Sequence, residues 1–216
     1  MEGVMGSLRW AGARIALAAL SIVVAATLFQ PRARATVMVE VPLEAMVRDA
    51  DVIVVGVVED VGARLVMLPD GGAEPHTITT LRVREWVKGS GGELVRIDEI
   101  GGVTSQVAMR IAGTPEYARG EEVVVFLRRT PEGALRTFAM VQGRFGIRRG
   151  VPGADDVVVR DTTSIGFASW ASGPMAIEHG GVRAMRLADF LAFVRATLEQ
   201  IETDPTTGDA LGGGAR

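Results

Sequence analysis

The chain has 216 residues, of which 48% are apolar and 23% charged, with 27 Gly, 2 His, no Cys and a net charge of −3. That length suffices for one domain with a proper core, since about 150 residues already bury roughly 70% of the surface their unfolded chain exposes. The composition excludes a disordered polyelectrolyte and a collagen-like repeat, and the lack of Cys excludes disulfide scaffolds, Cys-ligated zinc and thiol catalysis.

At the N-terminus, Arg9 and Arg14 precede an uncharged apolar run from Ile15 to Phe29, and Ala33-Arg34-Ala35 supplies a small-x-small site. This order predicts a secretory signal peptide over 1–35, cut between Ala35 and Thr36. The run would span only about 22 Å as a helix, against a hydrocarbon core roughly 30 Å thick. A retained N-terminal membrane anchor is the alternative, because Arg32 and Arg34 follow the run and Trp10 to Gly12 could lengthen it. Either form predicts an exported body in the periplasm, at the cell surface or outside the cell, with membrane contact only through an uncleaved N-terminal segment. Removing four arginines and one glutamate with the leader leaves 19 basic and 25 acidic residues, a net of −6. No electrostatic footprint for nucleic acid remains.

In the body, Leu43, Met46, Val47 and Ala50 recur at helical spacing behind Pro42, which predicts a short helix. Asp51 to Val58 reads as a buried strand that continues over Arg64 to Leu68 beyond a bend at Gly62, with Gly56 as a second bending point. After the turn Pro69 to Gly72, Thr77 to Val87 alternates: Leu81, Val83 and Val87 are expected on one face, Arg82, Arg84 and Trp86 on the other. A third strand is predicted from Glu93 to Ile100 and a long connection from Gly101 to Gly120. A fourth follows from Glu121 to Arg128, then a hairpin across Pro131-Glu132-Gly133 into Leu135 to Val141, extended by Phe145 to Arg148. Val157 to Arg160 reads as an extra strand and Asp161 to Gly181 as a long loop. Leu187, Phe190, Leu191, Val194, Leu198 and Ile201 form one stripe of a C-terminal amphipathic helix expected to cap the barrel. Residues 203–216 lack periodicity and read as a disordered tail. The expected fold is mainly β: a small OB-like β-barrel over 36–160, with a short N-terminal helix, followed by a loop and C-terminal helix packed on it over 161–202.

The runs ADVIVVGVVEDV (50–61), TITTLRVREWVKG (77–89) and AGTPEYARGEEVVVFLRR (112–129) resemble a group of exported bacterial proteins of uncharacterised function. The layout is similar in turn to the OB-fold of tissue inhibitors of metalloproteinases (TIMP) and netrin-like modules. The resemblance covers Leu43 to Arg148 and implies an OB barrel that binds a protein. One departure matters: the animal inhibitors occupy a protease zinc with an N-terminal cysteine, whereas the predicted mature N-terminus here is Thr36 and the chain has no Cys. Their mechanism cannot be carried over on residues, and fold alone does not confer it.

No catalytic constellation emerges. His76 and His179 lie outside any HExxH pattern and read as loop residues; Ser105, Ser164, Ser169 and Ser172 lie outside any G-x-S-x-G elbow. The segment TTSIGFASW reads as a packed loop anchored by Phe167 and Trp170. The pairs Asp98-Glu99 and Glu121-Glu122 sit on strands, where neighbours face opposite sides, and Asp155-Asp156 lacks the ligand series of a calcium loop. No catalytic, cofactor or metal residue is therefore assigned. The function expected is an exported non-enzymatic binding module, as protease inhibitor or envelope adaptor. Its partner is a protein or envelope component, met by the loop Gly101 to Gly120 and by Thr36 to Val41 adding to a sheet edge. The alternatives are a hydrolase with an unfamiliar site in 161–181 and a membrane-anchored structural domain.

Overall fold

The computed structural model describes residues 36–169 and 175–203. The N-terminal segment expected to be a signal peptide, with Ala35, the residues Trp170 and Ser172, and residues 204–216 of the expected tail lie outside the described residues, while Thr203 ends the C-terminal helix. In chain order the elements are β1 (Thr36–Met38), α1 (Leu43–Asp49), β2 (Val52–Met67), β3 (Ala73–Lys88), β4 (Leu94–Ile100), β5 (Gly102–Val103), β6 (Ala108–Met109) and β7 (Glu122–Arg129). There follow β8 (Leu135–Thr137), a 3-10 turn (Met140–Gly143), β9 (Arg144–Arg148), β10 (Val157–Asp161), β11 (Ile165–Ser169), β12 (Ala176–His179), β13 (Val182–Arg186) and α2 (Leu187–Thr203).

Five strands form a partly closed ring in the order β2-β3-β4-β8-β7 and back to β2. Closure is narrow, through one parallel partner pair, Ile97 with Leu135, and through the antiparallel pairing of Leu127 to Arg129 with β8. This is the mainly β, OB-like barrel expected, with a helix near each end of the described chain. β7 then forks. Its C-terminal half stays with β8 in the ring, while Val123 to Val125 pair with β9, which opens an outer sheet β9-β10-β13.

The apolar run of β2 is continuous because both of its faces are buried. Val52, Val54 and Val58 point into the barrel with Leu81, Val95, Ile97, Val123, Val125 and Leu127. Ile53 and Val55 point outward with Val124 and Phe126, under Met46 and Val47 of α1 and Phe190 and Val194 of α2. The helix α2 therefore covers the outer face of the sheet and does not cap the barrel's end. Lys88, the only lysine, holds α1 in place: its ammonium donates to the carbonyls of Val47 and Arg48 at 2.9 and 2.8 Å, orphan acceptors of the last turn. Partial burial lowers its pKa, with Asp51 and Asp49 opposing that shift.

Bulges decide the faces of β3. The pairing of β2 with β3 shifts register after Ile53, after Val55 and after Val58. Each shift exchanges inside for outside, as one extra residue must in a structure of period two. Trp86 accordingly packs with the barrel interior and Val87 with the outer core, the reverse of the simple alternation. Gly56 sits at a shift, where a Cβ would lie 2.7 Å from the carbonyl oxygen of Arg82; at Gly62 nothing lies within 4 Å, so that glycine is not demanded by crowding.

Two further expectations are corrected. The strand predicted from Leu135 to Val141 stops at Thr137, because the chain must leave the ring there and does so through Ala139 and Met140, both in the left-handed region at φ 55° and 57°. The described residues of 161–181 are not simply a loop: β10 and β11 run against β13 and β12 as one bent antiparallel arm. The bend falls at Thr162, whose hydroxyl donates to the carbonyl of Gly181 and accepts from its N–H. Polar Thr and Ser and the Gly180-Gly181 pair at this corner hide the strand pattern on either side.

Candidate functional site

Between the two helices and the outer sheet lies a cleft of about 480 Å³, within the range of small-ligand sites. Its floor comes from three elements. Phe145 of β9 and Phe190 in the first turn of α2 meet with ring centres 4.8 Å apart, and Val158 of β10 lies beside them. Antiparallel register sets the wall: Val158 stands opposite Met185 and Arg160 opposite Arg183, so each strand offers one apolar and one basic residue to the same face. The remaining wall is the strap Glu40 to Leu43 joining β1 to α1.

The strap is held from beneath by Gln142. This fully buried side chain accepts from the N–H of Val41 at 2.9 Å and donates to the carbonyl of Val39 at 3.2 Å. Glu40 is thereby placed over the cleft, where one of its oxygens accepts from Arg160 at 2.7 Å and from Arg183 at 2.8 Å. The Arg160 side chain is only 9% exposed, and among the described residues Glu40 is its one hydrogen-bond partner. Desolvation lowers the pKa of Arg160; Glu40 opposes that shift and the neighbouring Arg183 adds to it. Two guanidiniums therefore share one carboxylate above an apolar floor. Such a site can hold a ligand; among the described residues that line it, the one carboxylate is that of Glu40, held by both arginines.

A second surface is the outer strand of the bent arm. Among the described residues β12 and β13 are exposed at every position and end their sheets without a further strand, and Ile177, Val182 and, just before β12, Met175 present large apolar side chains there. Edges of this kind template pairing with another chain unless charge or cover prevents it.

The residues singled out from sequence are dispersed. Thr36, the first residue after the expected cleavage site, begins β1, and Thr36 to Met38 pair in parallel with Ile165 to Phe167 of the same chain. One side of this segment is thus taken by β11, and β1 ends its three-stranded sheet. Loop 101–120 carries the β5-β6 hairpin and sends Tyr117 into the barrel group, where its hydroxyl meets that of Thr137 at 2.7 Å; burial raises its pKa. His76 lies on β3, not in a loop, with Nδ1 against Asp98 and Nε2 3.0 Å from Glu74; His179 lies on β12 opposite Gly166. Ser164 occupies the corner before β11, Ser169 ends that strand, and Ser105 lies in the turn between β5 and β6. Phe167 is buried with Val141 and Ile165, as an anchor should be.

Arg82, Arg84 and Trp86 do not share an open face: Arg82 pairs with Glu59, Arg84 with Glu122 at 3.1 Å, and Trp86 turns inward. Asp98 faces outward to His76 while Glu99 is buried on the other side of β4, and Glu121 and Glu122 pair with arginines. Asp156 is held by Arg149 and by the N–H of Gly150, and Asp155 lies 3.8 Å from Arg186. Among the described residues no three His, Asp or Glu side chains gather as metal ligands, and no helix is long and apolar enough to cross a membrane.

The cleft arginines were not singled out from sequence, although a signal exists: Val158-x-Arg160 and Arg183-x-Met185 each put a basic and an apolar residue at i, i+2. Their common partner Glu40 stands 120 residues from Arg160, beyond any local pattern. No protein-family model and no curated protein matches the chain.

Proposed function

We propose that the chain is an exported, non-enzymatic binding module that holds a protein or envelope component along the free edge of β12 and β13. The observation that carries this reading is that edge itself: two short strands in line, exposed throughout, bearing Ile177 and Val182 where soluble proteins usually place lysine or proline. A partner segment added there would gain main-chain hydrogen bonds for affinity and apolar side-chain contacts for specificity. Export rests on the signal-like segment before Thr36. The resemblance to TIMP and netrin-like modules supports protein binding on an OB barrel and makes protease inhibition one form of it. That form would act through this edge or through the loop Gly101 to Gly120, where Val103, Val107 and Ile111 are exposed, since Thr36 is paired with Ile165 within the chain.

The test is affinity capture from envelope and culture medium with the chain from Thr36 onward as bait, beside an Ile177→Lys, Val182→Lys double variant. Both substitutions fall on exposed positions and should leave the melting temperature within a few degrees of the parent. A partner recovered by the parent and lost by the variant is the expected result. Equal recovery by both would move the interface off this edge.

A further inference from the structure

We propose that the cleft is a binding site for an amphipathic carboxylate, an ionised acid head on a linear acyl chain. This goes beyond the edge-strand reading, since it uses the face of β13 that looks onto the cleft and not the strand's free edge. The head site follows from charge. Arg160 and Arg183 converge on a single oxygen of Glu40, so the mouth carries one more positive than negative charge in a chain that is acidic as a whole. Burying a guanidinium is costly unless its charge is matched, and Arg160, at 9% side-chain exposure, has half of a shared carboxylate. A second carboxylate would give each arginine its own partner, in the planar geometry guanidinium favours.

The tail site follows from the floor. Below the arginines the lining is Phe145, Phe190, Val158, Met185 and Leu43, with no polar side chain among the described residues to be stripped of water. Ligand pockets commonly combine such an apolar body with a few oriented polar groups at one end. The cleft is also preformed, because Gln142 fixes the strap and the paired strands β10 and β13 fix the arginines; little ordering is left for the ligand to impose. A cationic amphiphile would meet repulsion at the mouth, and a neutral alcohol of equal length would leave the charge unmatched.

Isothermal titration of the purified full-length chain, below the aggregation concentration of each probe, tests this with sodium decanoate, decanol and decyltrimethylammonium. Saturable decanoate binding about tenfold or more tighter than decanol, with no saturable binding of the cation, is expected from one charge-assisted contact. Arg183→Gln is the informative variant, because that side chain is 72% exposed and its loss does not threaten folding. It should lower decanoate affinity to the decanol level and leave decanol unchanged. Met185→Trp, which fills the cleft from its exposed rim, should remove both. Equal affinity for decanoate and decanol, binding of the cation, full decanoate affinity in Arg183→Gln, or unchanged binding in Met185→Trp would each overturn the proposal. So would the absence of saturable decanoate binding.

Discussion

β2 and β7 furnish two cores from the same run of residues, and the two differ in what they leave open. Val54 and Val125 face a space enclosed by five hydrogen-bonded strands, with Trp86 and Tyr117 packed against it. Ile53, Val55, Val124 and Phe126 face a roof made of two helices and the outer sheet. A ring of strands closes around its contents; a roof laid on a sheet ends in a seam, and the cleft lies along that seam with Phe145 and Phe190 as its floor. Polar groups lie on both sides: in the barrel Tyr117 and Glu99 meet Thr137 while the Thr79 hydroxyl is buried without a partner among the described residues, and on the outer side Gln142 and Arg160 organise the strap. Space for a ligand thus arises where unlike elements meet, not within the barrel that defines the fold.

The largest effect should come from Phe126→Ala. Phe126 is fully buried and packs against Phe145 at 5.5 Å and Phe190 at 6.3 Å between ring centres. Its truncation should cost about 3–5 kcal/mol in urea unfolding. Leu81→Ala, fully buried in the other core, should cost about 2–5 kcal/mol. What separates them is the cleft: Phe126→Ala loosens its floor and should weaken decanoate binding in the folded protein, while Leu81→Ala should not. If the barrel variant weakens binding equally, the two cores act as one and the distinction fails.

How much of this was readable from sequence follows from where the information sits. The ring strands were legible because β2, β3, β4 and β7 carry dense or alternating apolar residues between Gly-rich turns, and α2 because its stripe is six residues long. The face of Trp86 was not, because bulges leave no mark in composition. The bent arm was hidden by its Thr-Thr-Ser and Gly-Gly corners, and exposed edge strands such as β12 and β13 have no buried face to impose alternation. The site was least legible: it needs Glu40, Gln142, Arg160 and Arg183 together, and only the register of β10 with β13 and the path of the strap bring them there.

Gln142→Leu probes the seam without touching the barrel. The change keeps a similar volume but strands the N–H of Val41 and the carbonyl of Val39, a loss of about 1–3 kcal/mol. Amide exchange at Val41 should accelerate while that at Val125, within the β2-β7 pairing, stays protected. Decanoate affinity should fall with the strap. Uniform acceleration at both amides would mean that strap and barrel open as one unit.

The smallest effect belongs to the barrel side and is read as a slope against pH. Glu99 is buried on β4, where one oxygen accepts from the N–H of Thr137 at 2.8 Å. Burial raises its pKa; the Thr137 hydrogen bonds and Arg136 oppose that shift, and Asp98 adds to it. A carboxyl whose folded pKa exceeds its unfolded one holds its proton more tightly when folded. Its contribution to stability is therefore complete below the ordinary glutamate pKa and is lost as pH rises through the folded value. Over that window the folded chain binds more protons than the unfolded chain. Glu99→Gln keeps an acceptor for Thr137 and has no proton to release, so it should remove this part of the pH dependence and match or exceed the parent's stability above the window. Decanoate binding on the other side of β7 should not change. A parent whose stability rises through the window, with Glu99→Gln flattening that rise, would place the charged form as the favoured one and show the barrel interior to be wetter than its packing implies.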